Sequence, residues 1–198
     1  MTVDELYDKL CDKGFREYQT GDLFSRYYIY LYAPEQEYAF QRQMADLSQR
    51  LIRPNEFIDV ITIDIFDEFC THLKRQSWGK TGTLFDFLQT REAERPADVQ
   101  KTLTQVASHD RFMKHLSDLI QQHLHQPTSY DRAYVFLHGF GELFPYLRVN
   151  KFMVGFEKYN HDCKLILFYP GTYQNGAYSL FNRLPDANPY RAIKLLNP

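Results

Sequence analysis

Asp64, Asp67 and Glu68 form a cluster of carboxylates that could do chemistry together, placed at the end of an apolar, β-branched run. Carboxylates at a strand end can serve as general acid and base. The same Asp67 and Glu68 equally suit the first turn of a helix, where the macrodipole favours negative charge. His138 closes a second apolar run, and Glu142 follows four residues later. A histidine at the end of a buried strand can project into an active site, although buried polar groups usually just find a hydrogen-bond partner. Asp64, His138 and Glu142 are therefore the candidate polar groups of any ligand or catalytic site.

Other motifs are weaker. Gly79-Lys80-Thr81 resembles the end of a phosphate-binding P-loop, but Lys74 stands where the first glycine belongs, and no strand precedes it. An exposed loop is expected there. The turn after the first strand reads APEQEY, without glycine or lysine, and His138-Gly139 stands where a Walker B acid would hold Mg²⁺. The seven histidines show no HExxH or carboxylate–His ligand spacing; His123 and His125 would diverge on a helix. No GxSxG occurs, and Cys11, Cys70 and Cys163 lack CxxC pairing. Neither metal nor cofactor is expected. Unpaired, scattered cysteines are the usage of a reducing compartment. With no secretory leader pattern and no apolar run long enough to span a bilayer, a cytoplasmic protein is expected.

These residues need a scaffold, and 198 residues suit one domain. Thr2 and Glu5 have capping-box spacing before an apolar helical stripe. Strands are expected at Tyr27–Tyr32, Phe57–Phe66, Ala133–Leu137 and Lys164–Tyr169, with a last one in YRAIKLL. Helices are expected through Phe40, Met44, Leu47 and Leu51, at Arg111–His125 behind an Asp110 cap, and around Val149–Tyr159. Tyr169-Pro170-Gly171 reads as a turn, with proline fixing φ and glycine free to take positive φ. Alternating strands and helices imply an α/β fold: a mostly parallel sheet flanked by helices. The sheet is expected to resemble a degenerate P-loop NTPase-like core without Walker motifs. Residues 77–126 are the candidate insertion or side lobe within a single 1–198 domain.

Charge narrows the function classes. The chain is 44% hydrophobic and 24% charged, with a net charge of −2, which argues against nucleic-acid binding driven by bulk charge. Residues 1–100 carry 12 Lys and Arg against 18 Asp and Glu, whereas residues 148–198 carry 7 against 3. A basic C-terminal quarter with Lys151, Lys158 and Lys164 leaves DNA contact as an alternative. The 16% aromatic content fills cores first and also suits a partner-binding surface.

The segments FLHGFGELFPYLRVNKFM, LILFYPGTYQNGAYSLFNRL and PYRAIKLL resemble the BrxB family of BREX (bacteriophage exclusion) phage-defence systems. Leu137, Gly139, Gly141, Pro145 and Arg148 match its glycine–proline–arginine pattern. Phe168, Pro170, Gly171 and Tyr173 match its Pro-Gly turn, and Leu180, Phe181, Tyr190, Arg191 and Ala192 its closing pattern. After the arginine this chain carries Val149-Asn150 and Met153-Val154-Gly155-Phe156, where common members have Ser-His and Leu-Asn-Asn-Leu. The resemblance implies an accessory or adaptor protein without known catalytic activity. It also implies operon partners, above all the alkaline-phosphatase-like PglZ protein and through it the methyltransferase. Partner contact is expected at Gly139, Glu142, Pro145, Arg148, Pro170, Gly171, Tyr173 and Arg191. Arg148 is the expected anchor, since a guanidinium pairs bidentately with carboxylate or phosphate. Internal pairing with Glu142 is its alternative.

Overall fold

Side-chain alternation along four strands sorts the chain into three layers. The computed structural model describes residues 1–17, 27–52, 57–126, 133–159, 163–174, 177–185 and 193–196. Strands β1 (Tyr27–Tyr32), β2 (Val60–Asp64), β5 (Tyr134–His138), β6 (Lys164–Gln174) and β9 (Ile193–Leu195) pair in the order β2-β5-β6-β1-β9. All four of those pairings are parallel. Tyr28, Tyr30, Tyr134, Phe136, Ile166 and Phe168 face one cluster, and Ile29, Val135, Leu137, Leu165 and Leu167 face the other. Period-two side chains buried on both faces are what a parallel sheet between two helical layers requires.

The first layer holds α1 (Val3–Cys11), α2 (Lys13–Arg16) and α3 (Glu37–Ile52). The Thr2 capping box forms as expected, with Glu5 N–H donating to Thr2 Oγ1 and Thr2 N–H to Glu5 Oε2. Leu6 and Leu10 of α1 are fully buried against the stripe of α3. Each contributes about 1.5–3 kcal/mol. The Arg50–Asp4 ion pair joining the same helices is largely exposed at its acid, and such pairs contribute under about 1 kcal/mol. Burial, not charge, docks α1.

The second layer holds α4 (Ile65–Arg75), α5 (Leu84–Glu92), α6 (Pro96–Ala107), α7 (Asp110–Leu124), α8 (Phe140–Leu143) and α9 (Val149–Phe156). Between α4 and α5 lies a short hairpin of β3 (Ser77–Trp78) and β4 (Gly82–Thr83). Leu84, Leu88, Val99, Phe112 and Leu116 from this stretch share one cluster with the sheet.

The sheet is mostly parallel, as expected, and mixed: beyond its parallel partners β6 runs into an antiparallel meander with β7 (Ala177–Leu180) and β8 (Leu184–Pro185). Three expectations need correction. Tyr169-Pro170-Gly171 is thus strand, not turn: Pro170 ends the pairing with β1 opposite Tyr32, and Gly171 begins the pairing with β7. The second strand stops at Asp64 instead of reaching Phe66, since the Asp64 carboxylate caps the helix that starts at Ile65. Asp110 opens α7 rather than capping it; the His109 ring accepts from Arg111 N–H at 3.1 Å.

Candidate functional site

The carboxyl ends of the parallel strands form one rim, and the chain places most of its candidate residues there. Asp64 and His138 end neighbouring strands in direct register. Asp64 Oδ1 accepts from Phe66 N–H at 2.9 Å and Asp67 N–H at 3.1 Å, which fixes the carboxylate at the start of α4. His138 Nδ1 lies 3.4 Å from Asp64 Oδ2 but is not aligned for a hydrogen bond with it. Burial holds the His138 imidazole below its usual pKa, against the opposing pull of Asp64, Glu37 and Asp67.

Gly139 is a steric requirement of this arrangement. Its φ is +82°, and a Cβ there would stand 2.5 Å from Asp64 Oδ1. The residue that follows His138 must therefore lack a side chain for Asp64 to cap α4. Glu142, on α8, reaches across the top of the sheet. It accepts from Gln41 Nε2 at 3.1 Å, Gln41 donates also to Glu37 Oε1 at 3.3 Å, and Tyr32 Oη–H donates to Glu37 Oε2 at 2.7 Å. This chain of contacts clasps the two helical layers together over the strand ends. Burial, followed by the nearby Asp64 charge, raises the Glu142 pKa above its usual value, with the Gln41 bond opposing.

Sequence reasoning missed Tyr32, Glu37 and Gln41. Their signal was present: an i,i+4 polar pair in the first turns after a strand that ends in tyrosine. The arrangement offers carboxylates beside an imidazole whose neutral form burial favours, groups able to bind a cation or pass a proton. Among the described residues, no three His, Cys, Asp or Glu side chains form a metal-holding group. His115 and His123 instead tie α7 to the rest of the fold, through Glu68 at 2.8 Å and Asp59 at 3.0 Å.

The rest of the rim is built by the segment after β5 and the β6–β8 meander. A Cβ on Gly171 would sit 2.1 Å from Ser179 O, inside the β6–β7 pairing. A Cβ on Gly141 would meet the Phe181 ring at 3.0 Å and Pro170 Cγ at 3.1 Å. Pro170 is buried, whereas Pro145, in the turn between α8 and α9, is exposed. Arg148 is exposed at the N-cap position of α9; its Nη1 donates to Pro185 O at 3.2 Å, and its guanidinium lies 5.5 Å from the Phe144 ring centre. Arg148 thus reaches β8, while Glu142 engages Gln41. Tyr173 is 43% exposed on the far side, beside a cleft of about 310 Å³ lined by Tyr32, Thr172, Tyr173, Gln174 and Asn182. Arg191, with Tyr190 and Ala192, lies outside the described residues.

The three lysines considered for DNA contact are not a shared surface. Lys164 is 3% exposed, and its ammonium donates to Phe15 O and Glu17 O beneath the Phe15 and Tyr28 rings. Lys158 is paired with Asp110. Only Lys151 stands exposed without such a role.

Fold and site together define a three-layer α/β protein whose interlocked strand-end turns form a built rim. A family model described as BREX protein BrxB matches residues 61–195, more than half of the chain, and the chain belongs to the BrxB family. The curated BREX protein BrxB of Bacillus cereus (strain H3081.97) is 24% identical over 203 residues, covering 98% of this chain and 96% of that protein. No solved structure matches the chain. The family model begins inside β2, so it takes in every described rim residue except Tyr32, Glu37 and Gln41. Among the described residues, no helix is long and apolar enough to cross a membrane.

Proposed function

We propose that this chain is a non-catalytic adaptor of a BREX anti-phage defence complex, docking an operon protein on the strand-end rim. The alkaline-phosphatase-like PglZ protein is the partner this reading names, with the methyltransferase reached through it. The observation that carries it is a division of labour among the family-motif residues. Gly139, Gly141 and Gly171 are crowded positions that lock the rim, while Glu142, Pro145, Arg148 and Tyr173 are exposed upon it. Rigidly supported, exposed Arg and Tyr side chains are the usual energetic anchors of interfaces. The P-loop-like character of the sheet belongs to the same proposal. The Asp64 carboxylate fills the start of the helix after β2, and Ala33-Pro34 follows β1, where glycines and a lysine would cradle phosphate.

Co-expression of the tagged chain with each protein of its operon tests this reading through co-elution and complex mass. A stable complex with the phosphatase-like protein, weakened in Arg148→Ala while the variant stays folded, is the expected result. A folded Arg148→Ala protein that retains its partner at unchanged affinity removes Arg148 from the interface. Loss of every operon partner at low salt removes the adaptor reading itself.

The imidazole held beside Asp64 favours one second reading, a nucleotide-sensing or enzymatic site formed by Asp64, His138 and Glu142. Saturable, Mg²⁺-dependent ATP or GTP binding by the pure protein, lost in His138→Ala, supports it; no binding eliminates it.

A further inference from the structure

The β3–β4 hairpin lies away from the rim and leaves the Gly79-Lys80-Thr81 motif without a role in it. Its turn is exposed, as expected, and Gly79 takes a φ of +66°. Trp78, the only tryptophan in the chain, is 48% exposed on this hairpin. One side of the indole is held by Phe87 at 4.6 Å between ring centres and 29° between planes. The stack fixes a large flat side chain without burying it.

Cations lie over the aromatic rings of α5 and at the hairpin tip. Lys74 Nζ lies 5.0 Å from the Phe85 ring centre, Arg91 lies 5.9 Å from that of Phe87, and Lys80 stands exposed at the hairpin tip. The acids nearby are already engaged. Asp86 accepts from Thr83 N–H at 3.1 Å and Thr83 Oγ1–H at 2.6 Å, contacts that hold its carboxyl below the usual range. Glu94 faces Arg91 at 3.9 Å. Lys74 and Lys80 form no ion pair among the described residues, although Lys74 lies close enough to Asp86 to help lower its pKa.

We propose that this hairpin is a docking surface for single-stranded nucleic acid, with a base stacked on the open face of Trp78 and phosphates held by Lys74 and Lys80. The flat stack separates this partner from an acidic peptide, which the lysines alone would serve. Base stacking contributes about 1–3 kcal/mol per base whatever the sequence. The chain's net charge of −2 excludes strong bulk attraction, so stacking must supply most of the affinity and only two or three phosphates can contribute. Duplex DNA buries its bases and offers no face for the indole. This inference is independent of the adaptor reading, because no rim residue takes part.

The single tryptophan makes the test local. Titrating the full chain with oligothymidylate of about ten nucleotides should quench its Trp emission saturably, with a log–log salt slope of about −2 or shallower. By anisotropy of labelled oligonucleotide, Trp78→Leu should weaken binding roughly tenfold, the loss of one stacked base. Lys80→Glu, at an exposed tip that cannot disturb the core, should weaken binding and flatten the salt slope. Arg148→Ala should bind as the natural sequence does. Absence of quenching, unchanged affinity in both hairpin variants, equal affinity for duplex, or equal quenching by polyglutamate would each overturn the proposal.

Discussion

At the β2–β5 end of the rim, polar side chains engage one another: Asp64 caps α4, His138 lies against Asp64, and Glu142 is held by Gln41. At the β1–β6 end, by contrast, the strands part around an open cleft, and Tyr173 turns nearly half of its surface to solvent. Both ends carry candidate residues, yet those of the first are tied to one another, Glu142 while still exposed, and Tyr173 at the second stands open on the surface. The contrast has a topological cause. The chain leaving β1 turns at Ala33-Pro34 into α3 of the first helical layer, whereas β6 continues straight into its meander, so the two strands separate at their carboxyl ends. Such a reversal is where open α/β sheets bind their ligands and partners.

The sharpest way to break this contrast is Gly171→Ala. Its methyl group would stand 2.1 Å from a backbone oxygen that cannot move without unpairing β6 from β7. Destabilisation of about 3 kcal/mol or more is expected in denaturant unfolding. Gly139→Ala comes next, at about 2–3 kcal/mol, combining a left-handed backbone with displacement of Asp64 from its cap. Addition of Asp64→Ala should recover part of that loss, because the carboxylate is what the methyl group meets. Tyr173→Ala should change stability by no more than about 0.5 kcal/mol, as exposed sites do. Its partner affinity should nevertheless fall about tenfold in the co-elution or calorimetric assay, as for an interface anchor.

The smallest effect sharpens the comparison through pH. Because folding raises the Glu142 pKa, the folded state holds that proton more tightly than the unfolded chain. The ionised carboxylate therefore favours unfolding, and its contribution to stability falls as pH rises through the raised value. Glu142→Gln should be modestly stabilising at neutral pH, with the gain vanishing below the ordinary carboxylate range. A gain independent of pH would show that Glu142 is not strained by its surroundings.

What could be read from the residues was mostly local. The Thr2–Glu5 box, the stripe of α3 and the strand before His138 each signal themselves within a few positions. Asp64 was visible as a candidate, though its cap cuts the β-branched run short in a way that Ile65 and Phe66 disguise. Pro170-Gly171 carries the local signature of a turn, yet β7, arriving from residues 177–180, keeps it extended. Arg148 illustrates the same limit: its acceptor, Pro185 O, lies 37 positions away, and no spacing rule connects them. The clasp from Tyr32 to Glu142 spans 101 positions at its Gln41 contact, so only the assembled sheet reveals it.

Strand β1 occupies the interior of the sheet although it comes early in the chain, and both neighbours come late. Its partners are residues 165–170 on one side and 193–195 on the other. While the polypeptide emerges from the ribosome, Tyr27–Tyr32 therefore has no hydrogen-bonding neighbour until more than a hundred further residues have been made. A six-residue aromatic and aliphatic segment waiting with both edges bare is a hazard for self-association. Closure of the fold must be governed by these distant pairings and correspondingly slow. Chaperone dependence and yield on expression should thus respond to changes in β1 more strongly than the stability of the finished protein does.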